Sequence, residues 1–99
     1  MKYKVRYLET VRHDREVIKA YLDLYSSTAA KRLFDKIKYK MELAKANPYM
    51  YEAYRGRPQF RRVVVGDYLV FYKVFEERKT IEVHHILHGM MNIEQYPLD

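Results

Sequence analysis

The basic residues between Lys31 and Arg62 are the first place in this 99-residue chain where chemistry could reside. That window holds ten Lys or Arg against three acids, a surplus of seven positive charges in a chain whose net charge is +6. The surplus begins on a helical pattern, with Lys36 and Lys40, and runs through Arg55 and Arg57 to Arg61 and Arg62 at the start of a strand pattern. A patch continuous over three elements suits a polyanion or an acidic peptide. Its Arg-rich end suits the forked recognition of phosphate or carboxylate. Tyr49, Tyr51 and Tyr54 interleave with Arg55 and Arg57. Aromatic faces can stack bases while guanidinium groups hold phosphates, although the same tyrosines could instead cover a sheet edge. Arg61 and Arg62 are adjacent on a strand, so at most one of them points into any groove.

A second cluster is His84-His85-x-x-His88. On a helix His84 and His88 would share a face and could ligate zinc. On a strand they are ~13 Å apart, whereas zinc needs its nitrogens at about 2.0–2.1 Å from one ion. The surrounding pattern is a strand, so no metal and no cofactor is expected. His88 is then a candidate general acid or base, or a strand-end histidine that bonds the backbone. Tyr96, in the tail, is a candidate for proton transfer or base stacking, or packs there.

The elements that must position these residues follow from periodicity. Residues 2–8 alternate Tyr3, Val5 and Tyr7 against Lys2, Lys4 and Arg6, which predicts a half-buried strand. A helix is predicted from Thr10, its N-cap, to about Tyr25, with Ile18, Tyr21, Leu22 and Tyr25 on one stripe. Ser26-Ser27-Thr28 breaks it and caps a second helix carrying Ala30, Leu33, Phe34, Ile37, Met41 and Ala44 on one face. Asn47-Pro48 stops that helix. Residues 47–59 read as a functional loop. Three strands follow, Phe60–Val65, Tyr68–Phe75 and Thr80–Leu87, with a Gly66-Asp67 hairpin turn and a charged turn between them.

Both faces of the middle strand are apolar, so the second face of the sheet needs a cover: the tail, a partner peptide or a second subunit. The expected architecture is α+β, in the order β-α-α-β-β-β, with a helical hairpin on a small antiparallel sheet. The length suits one domain over residues 1–99. Apolar content of 48%, with eleven Tyr and four Phe, argues for a folded chain. No run of 18 apolar residues and no hydrophobic start is present, so neither a transmembrane helix nor a signal peptide is expected. The absence of Cys excludes disulfides and thiolate metal sites and fits a reducing cytoplasm.

Taken in order, several pieces resemble the RelE/ParE toxins of bacterial type II toxin–antitoxin pairs. They are the first strand, the Ala30-Leu33-Ile37 helix spacing, the Asn47-Pro48 stop, and an Arg ahead of a strand. The Val65-Gly66-Asp67-Tyr68 turn, Tyr68 and Tyr72 on one strand, and the Ile86-Leu87-His88-Gly89 ending complete the set. The resemblance implies a basic groove on the sheet side and neutralisation by a cognate acidic antitoxin. It implies one of two activities: ribosome-dependent messenger RNA cleavage, or poisoning of DNA gyrase.

Cleavage of the RelE kind needs no metal, because the ribose 2′-OH attacks its own phosphate. A base must take that proton, cations must hold the developing charge, and an acid must assist the leaving oxygen. The RelE pattern supplies an Arg after the first of the two strand tyrosines and a basic residue after the final Gly. Here Leu69 and Met90-Met91 stand at those places. The resemblance then leaves Arg61, His88 and Tyr96 as catalytic candidates, with Arg55, Arg57, Arg61, Arg62, Lys36 and Lys40 as anion-binding ones. The reading carried forward is RNA cleavage by a metal-independent endoribonuclease. Gyrase inhibition and a non-toxic binding module of the same fold are the alternatives.

Overall fold

The computed structural model describes residues 2–99. Strand β1 (Lys4–Tyr7) leads into helix α1 (Glu9–Leu22), and a short turn leads on to α2 (Ala29–Ala44). The chain then forms a two-residue strand, β2 (Ala53–Tyr54), and the meander β3 (Arg57–Val65), β4 (Tyr68–Phe75) and β5 (Thr80–His88). The sheet order is β1-β5-β4-β3-β2. Strands β3 to β5 form the expected antiparallel meander and β2 joins its edge antiparallel, but β1 pairs with β5 in parallel, from Lys4 opposite Thr80 to Tyr7 opposite Val83. The sheet is therefore mixed. Parallel neighbours need a connection of a dozen or more residues, and here both helices and the meander intervene. The segment 47–59, expected to be all loop, also contains β2 and the first three residues of β3, which begins at Arg57 instead of Phe60.

Helix α2 buries Ala30, Ile37, Met41 and Ala44, the predicted stripe, with Leu33 and Phe34 packed at its margin. Helix α1 behaves differently. It ends at Leu22, and Tyr21 and Tyr25 are exposed, stacked edge to face at 5.4 Å. Its buried stripe is Val11, Asp14 and Ile18. Leu8, not Thr10, occupies its N-cap position.

The sheet has two cores. On the helix side Val63, Val65, Val70, Tyr72, Ile81 and Val83 pack under Ile18, Ile37 and Met41. On the other side Phe60, Phe71 and Leu87 are covered by Ile93 and Leu98 of the tail. Of the three covers the sequence allowed, the tail supplies this one. It is fastened by Arg57, whose guanidinium donates to the carbonyl oxygens of Ile93 (2.5 Å) and Tyr96 (2.6 Å). At the β3–β4 turn Gly66 adopts φ 59°, and the carbonyl of Asp67 accepts the Gly89 N–H at 2.8 Å. A Cβ on Gly89 would lie 3.3 Å from that oxygen, which explains a glycine at the end of β5. Among the described residues no helix is long and apolar enough to cross a membrane.

Candidate functional site

The site is built on an irregularity in β5. Phe71 pairs with His85, but the next residue, Tyr72, pairs with Val83, so His84 is one residue too many. Such a bulge leaves backbone groups without ladder partners, and α1 satisfies them. The Thr10 hydroxyl donates to the carbonyl of His84 at 2.5 Å, and the Ile86 N–H donates to Oδ2 of Asp14 at 3.0 Å. The same oxygen lies 2.8 Å from Nδ1 of His85. Thr10 and Asp14 are four residues apart, so they share one helix face and reach one stretch of strand. The side chains of Asp14 and His85 are each 7% exposed. The edge of the ring pair between His85 and Tyr96 closes the far side at 5.2 Å.

Beside this bulge opens a groove of about 610 Å³. Helix α1 contributes His13, Val17 and Tyr21, the sheet contributes Tyr68 and His88, and the tail contributes Met90, Met91 and Tyr96, with Asp14 among the lining residues. Nδ1 of His88 accepts the backbone N–H of Met90 at 3.0 Å, and its ring packs edge to face on Tyr68. This is the bonding of a strand-end histidine. Burial, then the nearby Asp14 charge, pushes the Tyr96 hydroxyl above its ordinary pKa, which makes it a poorer base.

The structure brings His88 and Tyr96 together and leaves Arg61 elsewhere. Arg61 pairs across the sheet with Tyr72, whereas His88 pairs with Tyr68. Those two tyrosines are four residues apart on β4, roughly 13 Å along the strand. Arg61 donates to the carbonyl of Tyr51 at 2.7 Å and lies over the Tyr49 ring at 4.7 Å. Arg62 pairs with Phe71 and so faces the tail side, as strand alternation requires. Arg57 is committed to the tail, and Lys40 donates to the carbonyl of Val64 at 3.0 Å. Lys36, Arg55 and Arg62 make no side-chain hydrogen bond or ion pair among the described residues.

The tyrosine-rich segment before β3 is pinned rather than open. The hydroxyls of Tyr3 and Tyr49 both donate to the Glu76 carboxylate, which also pairs with Lys79 at 2.9 Å. Its bonds to Tyr49, Lys79 and Tyr3 pull Glu76 down to about 2, and the same contact pushes Tyr49 up to about 12. The buried Tyr72 hydroxyl donates to the carbonyl of Pro48 at 2.5 Å. The three histidines go to three different partners. His84 bonds Glu82 at 3.1 Å and abuts Phe60, His85 bonds Asp14, and His88 bonds the backbone. Burial holds the His84 imidazole below its ordinary pKa, against the pull of Glu82.

Sequence reasoning missed Thr10 as a bulge partner, and missed Asp14 altogether. One signal was present: Asp14 sits three residues after Val11 and four before Ile18, inside an apolar stripe. An acid at such a position must find donors.

Two helices packed on a five-stranded mixed sheet match the fold of known RelE and ParE structures. A family model described as the ParE toxin of the type II toxin–antitoxin system parDE matches residues 5–93, and the chain belongs to that family. Among curated proteins no sequence matches significantly. The fold is similar to that in the chromosomal ParDE system of P. aeruginosa, with 15% identity over 88% of this chain and 96% of the other, and a TM-score of 0.70. It is also similar to an arginine-to-alanine double mutant of E. coli toxin RelE in the free state (16% identity, 95% and 90% covered, TM-score 0.67). A third likeness is to the toxin–antitoxin complex RelBE2 of Mycobacterium tuberculosis (17%, 89% and 99%, 0.65). At such identities these likenesses establish the fold alone.

Proposed function

We propose that this toxin, neutralised by a cognate acidic antitoxin, arrests growth by binding DNA gyrase rather than by cutting messenger RNA. The observation that carries this reading is the separation of Arg61 from His88 and Tyr96, by roughly 13 Å along β4 alone. Cleavage requires cations at the phosphate beside the groups that move protons, since losing one such donor costs about 10²–10³ in rate. Around His88 and Tyr96 the groove is lined by Met90, Met91 and Asp14. A carboxylate there repels a scissile phosphate. Inhibition by docking asks nothing of those positions. The antitoxin reading rests on Lys36, Arg55 and Arg62, which make no side-chain hydrogen bond or ion pair among the described residues. Lys36 on α2 and Arg62 on the tail side of the sheet lie on opposite faces, so an acidic segment folding as it binds would have to wrap the domain to meet both.

Purified protein assayed in parallel tests the choice. The expected result is inhibited gyrase supercoiling beside intact message on translating ribosomes. Message cleavage lost with His88→Ala or Tyr96→Phe would overturn it in favour of RNA cleavage, a reading favoured by one observation: those two side chains do share the groove.

A further inference from the structure

We propose that the groove between α1 and the end of β5 docks a segment of a partner protein in which one Lys or Arg is flanked by apolar side chains. In this arrangement the cation meets Oδ1 of Asp14. The bulge uses only one oxygen of that carboxylate, because Oδ2 takes both the Ile86 N–H and His85. Oδ1 has no hydrogen-bond partner among the described residues. No side-chain oxygen or nitrogen there is both sealed from solvent and unpaired, so Oδ1 reaches solvent, and the groove is a cavity that Asp14 lines. The side chain as a whole is only 7% exposed. A carboxylate so enclosed is poorly solvated, and a cation bringing its own hydrogen bonds is the ligand that compensates it.

The walls define the rest of the occupant. Val17 (56% exposed), Tyr21 (52%) and Met90 (87%) form an apolar rim. No Lys or Arg lines the groove, although the chain nets +6. Nucleic acid and acidic peptides are therefore disfavoured there. The volume, about 610 Å³, lies within the range of sites that enclose a few side chains. This inference rests on the reading that His88 and Tyr96 do not cut RNA in this groove, and peptide binding is measured separately from message cleavage and from gyrase inhibition.

The test uses the ¹⁵N-labelled full chain and two blocked peptides, one with lysine between leucines and one with norleucine in its place. The lysine peptide should bind about tenfold tighter or better, the worth of a charge-assisted bond, and should shift the amides of Val17, His88 and Met90. Asp14→Asn keeps an oxygen acceptor for the bulge while removing the charge. It should abolish the lysine preference and leave the norleucine affinity unchanged. Val17→Lys, at an exposed position, should weaken both peptides through the lost apolar rim but the lysine peptide more, so the preference shrinks even if Asp14→Asn folds poorly. Equal affinities, no binding of either peptide, or a preference that survives both substitutions would overturn the proposal. Groove shifts that grow with protein concentration alone would overturn it too, by giving the groove to a second copy of this chain.

Discussion

Replacing Asp14 with alanine tests the central structural claim, that α1 completes β5 through this carboxylate. The substitution leaves the Ile86 N–H and Nδ1 of His85 without an acceptor in a site whose side chains are 7% exposed. Each stranded donor costs about 1–3 kcal/mol, so a loss of roughly 2–6 kcal/mol is expected. A chain of this length has on the order of 5–15 kcal/mol to lose. At ~4–8 °C per kcal/mol, a mid-range loss of about 4 kcal/mol lowers the melting temperature by roughly 15–30 °C. Asp14→Asn retains an acceptor and should cost only about 1–2 kcal/mol, the charge-assisted part. Thr10→Val removes one neutral bond to the His84 carbonyl and should cost about 1 kcal/mol. Urea unfolding followed by circular dichroism measures all three. An alanine variant no less stable than the asparagine variant would refute the reasoning, because the bulge would then be held by packing alone.

Arg57→Ala removes both donors to the carbonyls of Ile93 and Tyr96 and should free the tail from the Phe60–Phe71–Leu87 face. Limited proteolysis should then nick within residues 89–99, whereas the wild-type tail stays protected, and a loss of about 1–3 kcal/mol is expected. Arg57→Lys should rescue little, because an ammonium lacks the planar fork. Glu76 gives a pH prediction. Its folded pKa of about 2 lies below its ordinary 4.5, so its contribution is present above pH 4.5 and is lost as pH falls towards 2. Tyr49 has the opposite sign: raised from 10.0 to about 12, it contributes below pH 10 and loses that contribution as pH rises through 12. Melting curves between pH 6 and 2 should converge for wild type and Glu76→Gln at the acid end. Parallel curves would show that the Tyr3–Tyr49–Glu76 cluster does not hold in solution.

What the sequence made legible was local. The stripe of α2 could be read because side-chain direction follows the 3.6-residue period, and Ala30, Ile37, Met41 and Ala44 are buried as that period requires. Strand alternation likewise separated Arg61 from Arg62. It also demanded a cover for Phe71 and Leu87, which the tail provides through Ile93 and Leu98. What could not be read was set by distant partners. The bulge at His84 depends on Thr10 and Asp14, more than seventy residues away in sequence. Arg57 looked like a phosphate ligand because a guanidinium offers five donors to any cluster of oxygens. Only the returning tail reveals that those oxygens are carbonyls. Tyr21 and Tyr25 fit a helical stripe, but the burial of Asp14 rotates the inner face of α1 towards the strand it completes, leaving both rings outside.

Asp14 also joins the two halves of the functional argument. The bulge requires an acceptor for two donors at one point, and an uncharged amide oxygen would meet that requirement. The negative charge adds the charge-assisted part of those bonds, about 1–2 kcal/mol. His85 is its one basic partner among the described residues, and no Lys or Arg lines the groove. The carboxylate makes the groove repel phosphate, which argues against RNA chemistry at His88 and Tyr96, and it makes the same groove attract a cation. The cations outside the groove and the carboxylate within it thus favour ligands of opposite charge.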